Sequence, residues 1–154
     1  MKARTLVLTL LTFLVVVTTC FAANTSLGTW KLNEAKSKLS AGLPKNLTVV
    51  YEAVGDNIKA TVDGVDAQGK PTHNEWTGKF DGKDYPVTGD PSSDARAYKS
   101  INDNSLELTV KKDGKVTITG RIVTSADGKT RTLTASGTDS AGKKVHSTSV
   151  YEKQ

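Results

Sequence analysis

The stretch SLELTVKKDGKVTITGRIV, Ser105–Val123, carries the clearest fold signal in this sequence. Leucine or valine stands at every second position from 106 to 110, and Val116, Ile118 and Ile122 continue the alternation after a short break. A period of two is typical of β-strands with one buried face. The break contains Asp113-Gly114, which supplies the positive φ that a two-residue hairpin turn requires. The stretch therefore predicts an antiparallel β-hairpin.

Similar Thr- and Val-rich runs recur about every ten residues along the chain, separated by turns containing Gly or Asn, a spacing typical of an antiparallel meander. Nine or ten segments are predicted as strands. They lie near residues 27–32, 47–54, 58–63, 72–80, 84–88, 95–100, 105–111, 115–124, 130–137 and 144–152. We therefore predict an all-β fold, either a single antiparallel up-and-down β-barrel or a strongly curved meander of eight to ten strands.

The segment near 33–42 departs from this pattern. Asn33 favours the start of a helix, and Gly42 and Pro44 favour its end. The sequence therefore predicts at most one short helix here, with an ordered loop as the alternative.

The first 22 residues differ from the rest of the chain in composition. Two basic residues precede an apolar run from Leu6 to Val17, which suits a secretory signal and is short for a membrane span. Cys20-Phe21-Ala22 places small residues where signal peptidase requires them. We predict cleavage after Ala22, with Ala23 as the neighbouring choice, a single barrel domain over 23–154 and a secreted or periplasmic location. A retained membrane anchor is the less favoured alternative.

The predicted cleavage would remove Cys20, the only cysteine of the chain. The mature domain would then lack disulfides, thiolate metal sites and a cysteine nucleophile. Lipidation of Cys20 is an alternative, but the preceding Val17-Thr18-Thr19 lacks the small residue usual in lipoprotein signals. We therefore expect lipidation less than simple cleavage, and no transmembrane segment afterwards.

The charge of the chain is weakly positive. The formal net charge of +5 falls to +3 when Lys2 and Arg4 leave with the signal segment. The remaining lysines lie mainly in predicted turns, and no basic stripe is interleaved with aromatic residues. The sequence therefore predicts no nucleic-acid partner.

The two histidines, His73 and His146, end matching G-x-D-x-x-G-K-x-x-H segments that lie 73 positions apart. Similar hairpins or a duplicated unit would both explain the match. Two histidines do not make a zinc site, most aspartates occupy turns, and no serine has a nucleophile-elbow context. We therefore predict no metal, no cofactor and no catalytic residue.

Two short stretches resemble a known family. Gly28-Thr29-Trp30 and the ending Val150-Tyr151-Glu152-Lys153 resemble the first and last strands of the calycins, which include lipocalins, fatty-acid-binding proteins and avidins. The resemblance implies a barrel around a small apolar ligand. It also implies that Trp30, beside Gly28, plugs the closed end, while Tyr151 faces the cavity toward a ligand carboxylate.

The chain departs from that family in two places. Ser149 stands where the family has an arginine, and segment 33–46 is shorter than its two-helix portal. The stretch from Trp30 to Lys38 also resembles the start of small secreted bacterial proteins, which favours export.

Candidate ligand contacts are the aromatic side chains predicted on strands, because aromatic faces bind apolar compounds. They are Tyr151, Trp76, Phe80 and Tyr98, although core packing explains them too. Arg121 is a candidate polar anchor or a cover stacked on Trp30, with a plain surface position as the alternative. We expect an exported small-molecule-binding protein. An envelope-associated interaction domain with a filled core is the alternative, and a hydrolase ranks third.

Overall fold

The computed structural model describes residues 25–40, 43–138 and 142–154. The predicted signal segment, its cleavage site and Cys20 lie outside the described residues. So do Gly42 and residues 139–141 of the second histidine-containing segment.

The described chain forms a closed antiparallel barrel in which each strand pairs with the next and the last pairs with the first. The strands are β1 (Gly28–Leu32), β2 (Lys45–Val54), β3 (Asn57–Val65), β4 (Pro71–Gly78), β5 (Tyr85–Thr88), β6 (Ala95–Asn102), β7 (Ser105–Lys112), β8 (Lys115–Thr124), β9 (Thr130–Thr138) and β10 (Lys144–Lys153). The prediction of an all-β fold is confirmed. Of its two forms, the closed barrel is the one that the chain adopts.

The predicted hairpin is strands β7 and β8. The turn residues Asp113 and Gly114 have φ values of 49° and 73°, which is the left-handed backbone that the Asp-Gly pair favours. The pairing brings Leu106 opposite Ile122 and Val110 opposite Ile118, so the apolar faces of the two strands coincide inside the barrel.

Val116 is the exception in this hairpin. We predict it on the same face as Ile118, but its side chain is 55% exposed. The register shifts between Val110 and Lys111, which pair with Ile118 and Val116 and so leave one extra residue in β8. Such a bulge interrupts the alternation of faces. The prediction for Val116 is therefore wrong.

Barrel closure depends on the short strand β1. Trp30 pairs with Lys153 of β10 on one side and with Val49 of β2 on the other. The first and last strands are therefore neighbours, as the barrel prediction requires.

The segment after β1 contains one turn of 3-10 helix, Glu34–Lys36, within the described residues. The Asn33 side chain accepts a hydrogen bond of 3.1 Å from the Lys36 amide, as expected of a helix cap. Lys38 then pairs with Thr148 of β10. This agrees with the prediction of at most one short helix.

The core contains a group of aromatic rings on one side of the barrel. Trp76 stacks on Phe80 with ring centres 6.2 Å apart and meets Tyr98 edge to face at 4.8 Å. The rest of the buried core consists mainly of aliphatic side chains. The part of the chain that the structure describes has no helix with the length and apolarity that a membrane crossing demands.

Candidate functional site

The barrel interior contains a cavity of about 190 Å³. Its mouth is formed by the loops after β1, β3 and β5, at Leu43, Pro44, Asp66 and residues 89–92. In an up-and-down barrel, the loops that follow odd-numbered strands share one end. The cavity therefore opens at the end of the barrel where the odd-numbered strands end. Strand β9 begins at the other, closed end.

The inner wall combines aliphatic, small and polar side chains. The lining strand residues include Val49, Tyr51, Val62, Asn74, Arg96, Tyr98, Leu108, Val110, Ile118, Ile122, Arg131, Leu133, Ala135, Ser147, Ser149 and Tyr151. The small residues Ala135, Ser147 and Ser149 stand at inward positions of β9 and β10. Because short side chains leave space at these positions, the interior is not completely filled.

The structure brings some of the predicted ligand contacts together and separates others. Tyr98 and Tyr151 line the cavity. Trp76 and Phe80 do not line it, and they pack against Tyr98 from behind. Arg121 is exposed on the outer face of β8. Two of the five predicted contacts therefore face the cavity.

Trp30 is fully buried at the end of the barrel opposite the mouth. Its Nε1 donates a hydrogen bond of 2.8 Å to the Ser26 carbonyl. The Arg131 guanidinium and the Lys153 amine lie 5.6 and 5.3 Å from its ring centre. The stacking that the sequence suggested for Arg121 is therefore made by Arg131 and Lys153.

Gly28 is required beside this plug for two reasons. Its φ is +112°, a conformation that residues with a side chain rarely adopt. A Cβ atom at this position would also lie 2.8 Å from the Cε of Lys153. A larger residue would displace the lysine from Trp30.

Tyr151 faces the interior, as the resemblance implied. Its hydroxyl donates a hydrogen bond of 3.1 Å to the Asn46 carbonyl, at the mouth side of strand β2. Burial raises the pKa of Tyr151 to about 12, although the charge of Arg131 opposes this. The phenol is therefore neutral at physiological pH, and its proton is already engaged within the protein.

Arg131 is the principal residue that our sequence interpretation missed. Only 4% of its surface is exposed, and its Nη2 donates a hydrogen bond of 2.7 Å to the Tyr51 hydroxyl. Its guanidinium also lies 4.5 Å from the centre of the Tyr51 ring. The sequence carried a signal, since Arg131 is in phase with the inward positions Leu133 and Ala135.

Arg96 is a second buried arginine in the cavity wall. Its side chain is 8% exposed and lies 3.6 Å from the Asp90 carboxylate. Its Nη2 donates a hydrogen bond of 3.3 Å to Asn74 Oδ1. Arg96 is also in phase with an inward residue, Tyr98. The sequence interpretation selected Tyr98 as a ligand contact but not Arg96.

Asp90 is held in its charged form beside Arg96. Burial alone would raise the pKa of this carboxyl, but hydrogen bonds from Ser92 and Ser93 and the charge of Arg96 outweigh burial. The net pKa lies below its ordinary value. Arg96 and Asp90 therefore form a charge-balanced pair near the mouth.

Two phenols connect the buried arginines. The Tyr51 hydroxyl, which accepts from Arg131, lies 3.3 Å from the Tyr98 hydroxyl, and Tyr98 in turn interacts with Arg96. Among the buried side-chain nitrogen and oxygen atoms of the described residues, three have no hydrogen-bond partner: Nε of Arg96, and Nε and Nη1 of Arg131. All three of these unpartnered atoms are hydrogen-bond donors.

The histidines lie outside this site. His73 is exposed, with Nδ1 2.7 Å from an Asp63 carboxylate oxygen. His146 is also exposed and contacts the Ser136 hydroxyl at 2.8 Å. The described residues contain no cluster of three side chains that would suit a metal ion.

No protein-family model matches this chain, and no curated protein matches it. Three solved structures are similar to this chain in fold. A redesigned β-barrel, mFAP1, bound to DFHBI is 17% identical, with 86% of this chain and 98% of that chain covered and a TM-score of 0.47. The redesigned β-barrel b11L5F_LGL is 14% identical, with 88% and 97% covered and a TM-score of 0.47. EF1p2_mFAP2b bound to DFHBI is 13% identical, with 86% and 97% covered and a TM-score of 0.48.

Proposed function

We propose that this chain is an exported binding protein for a compact small molecule held inside the barrel. The observation that carries the proposal is the cavity of about 190 Å³ between Tyr98, Tyr151 and the aliphatic wall. An interaction domain with a filled core fits this barrel less well, because side chains leave that space empty. No catalytic arrangement accompanies the cavity in the described residues, so binding is favoured over hydrolysis.

The volume limits the size of the ligand. An apolar cavity of about 150 Å³ accommodates benzene. The present cavity is slightly larger, so it suits one ring with a small substituent or a short acyl chain. A long-chain fatty acid exceeds it, which distinguishes the proposed ligand from the one that the fatty-acid-binding resemblance implied.

Export is part of the same proposal and rests on the sequence. The basic start, the apolar run from Leu6 to Val17 and the small residue at Ala22 support it. The mass of the chain recovered from outside the host cytoplasm tests this part separately. A mature chain beginning at Ala23 supports export, and an uncleaved chain in the cytoplasm contradicts it.

Native mass spectrometry of protein purified from its own host tests the binding function directly. We expect a species heavier than the chain by the mass of one small compound. A panel of single-ring compounds, followed by displacement of an apolar fluorescent probe, then measures affinity. If no compound accompanies the chain and no member of the panel binds, the proposed function is wrong.

A pair of variants on strand β9 locates the binding site. Ala135→Leu places three more carbon atoms in the cavity, and we expect it to weaken binding roughly tenfold or more. Thr134→Leu places the same side chain on the exposed outer face and serves as the control. Circular dichroism shows that both variants fold. Equal affinities of the two variants would place the ligand outside the barrel.

A further inference from the structure

We propose that the cavity selects a compact monoanion, such as a single-ring carboxylate, by pairing it with Arg131. This inference rests on the proposed function and names the chemical class of its ligand. It comes from the unmatched donors and charge of the barrel interior.

The first argument is the imbalance of donors and acceptors. The Nε and Nη1 atoms of Arg131 and the Nε of Arg96 are buried and lack acceptors among the described residues. Buried polar groups without partners are rare in native proteins, because each loses its hydrogen bonds to water. Every unmatched atom here is a donor, so the complementary ligand group is an acceptor.

The second argument is charge. Arg96 is balanced by Asp90 at 3.6 Å, whereas no ion pair within the described ranges involves Arg131. The rings of Tyr51 and Trp30 stabilise this cation only partly. One positive charge is therefore left over inside the barrel. A carboxylate balances it, while a dianionic phosphate would leave a negative charge buried.

The third argument is the position of Arg131 along the barrel. It is the second residue of β9, and it lies beside Trp30, at the end away from the mouth. A ligand entering at the mouth would therefore bring its anionic group in first. Its apolar part would then lie among Leu133, Ile122 and Val49, which line the same cavity.

This arrangement differs from the one that the resemblance implied. Tyr151 donates its proton to the Asn46 carbonyl, and Ser149 provides no charge. The anionic group would instead meet Arg131 on β9, beside Tyr51 on β2. In this proposal, the residue that binds the anionic group lies on β9 rather than on the last strand, β10.

The experiment compares benzoate with benzamide, which is nearly equal in size, and with phenyl phosphate, a somewhat larger dianion. Calorimetry at fixed ionic strength measures their affinities for the purified protein. We expect benzoate to bind roughly tenfold tighter than benzamide, the value of one charge-assisted hydrogen-bonded pair. Benzamide binding equal to benzoate, or phenyl phosphate binding more tightly than benzoate, would overturn the proposal.

Two substitutions of arginine by glutamine assign the preference to one residue. Arg131→Gln removes the inner charge, and we expect it to abolish the preference for benzoate while benzamide still binds. Arg121→Gln makes the same change on the outer face and should leave all affinities unchanged. A preference for benzoate that survives Arg131→Gln overturns the assignment.

If Arg131→Gln does not fold, Arg131→Lys keeps the charge while changing the geometry. We then expect benzoate to bind more weakly but still better than benzamide, and unchanged benzoate affinity would contradict the role of the guanidinium. The probes also separate the two proposals. Equal binding of benzoate and benzamide refutes only the preference for an anion. The binding function itself is refuted if no single-ring compound binds and no compound accompanies the chain purified from its host.

Discussion

The hydroxyl groups of Tyr51 and Tyr98 lie 3.3 Å apart inside the barrel, each beside a buried arginine. This chain of four side chains crosses the interior from β9 through β2 to β6. Hydrogen-bonded networks in a low-dielectric interior are stronger than in water, but every unmatched member is costly. The network therefore orders the barrel wall, and its arginines also present hydrogen-bond donors to the cavity.

The ionisation of the buried phenols gives the first prediction. Burial is the largest cause that raises the pKa of Tyr98, and it raises the pKa of Tyr151 to about 12, against an ordinary value of 10.0. Both residues favour the neutral form in the folded state. Their contribution to stability is therefore complete below pH 10.0 and is lost as the pH rises through the folded values. We expect the free energy of unfolding to decline above pH 10.0.

Phenolate absorbance during an alkaline titration checks this prediction. We expect Tyr98 and Tyr151 to ionise above the ordinary value in the folded protein and at the ordinary value in denaturant. Tyr151→Phe should remove one late step. Ionisation of Tyr98 and Tyr151 near the ordinary value in the folded protein would contradict the prediction.

Asp90 gives the second prediction, at the acid end. Its folded pKa lies below the ordinary 3.8, so its contribution to stability is complete above that value and is lost as the pH falls through the lower folded one. Asp90→Asn should therefore lower stability at neutral pH, by about 1 to 3 kcal/mol, because Arg96 loses its charged partner. It should also flatten the decline in stability below pH 3.8.

Urea unfolding at neutral and acid pH measures both effects. Asp103→Asn changes an exposed turn residue of the same type and is the control, with an expected change near zero. If Asp90→Asn loses as much stability in acid as the unsubstituted protein does, groups other than Asp90 cause the acid destabilisation.

Gly78 gives the third prediction, from packing alone. A Cβ atom at this position would lie 2.5 Å from Cγ of Tyr85 and 2.7 Å from Cζ2 of Trp76, so the two rings would have to separate. We expect Gly78→Ala to cost about 1 to 3 kcal/mol. Gly137→Ala is the graded control, since its nearest contacts are at 3.1 Å. Denaturant unfolding compares them, and equal losses would contradict the packing explanation.

The sequence predicts the strands well because their signals are local. The alternation in β7 and β8 and the Asp113-Gly114 turn require only neighbouring residues. A bulge is less visible, and one extra residue in β8 is enough to turn Val116 outward. Local pattern therefore determines where strands lie more reliably than it determines the face of each residue.

The cavity is harder to predict because it depends on contacts between distant strands. Phe80 was predicted on a strand, but β4 ends before it, at Gly78. Only barrel closure decides that Tyr98 faces the cavity and Trp76 lies behind it. The buried arginines were missed because charge suggests the surface. The available signal was their position, since both arginines stand an even number of residues from inward-facing residues on β6 and β9. In a strand with one buried face, this alternation predicts burial better than charge does.

Trp30 gives the last prediction, which separates packing from charge at the closed end. The ring is fully buried, while Lys153 lies over one face at 5.3 Å. Trp30→Ala should cost about 3 to 5 kcal/mol, because it removes a large buried side chain and its hydrogen bond to Ser26. Lys153→Met keeps most of the aliphatic stem and removes the charge, so it should cost less than about 1 kcal/mol. Denaturant unfolding followed by circular dichroism measures both, since the signal does not depend on tryptophan. Similar losses for the two variants would show that the cation, rather than the filled volume, closes this end of the barrel.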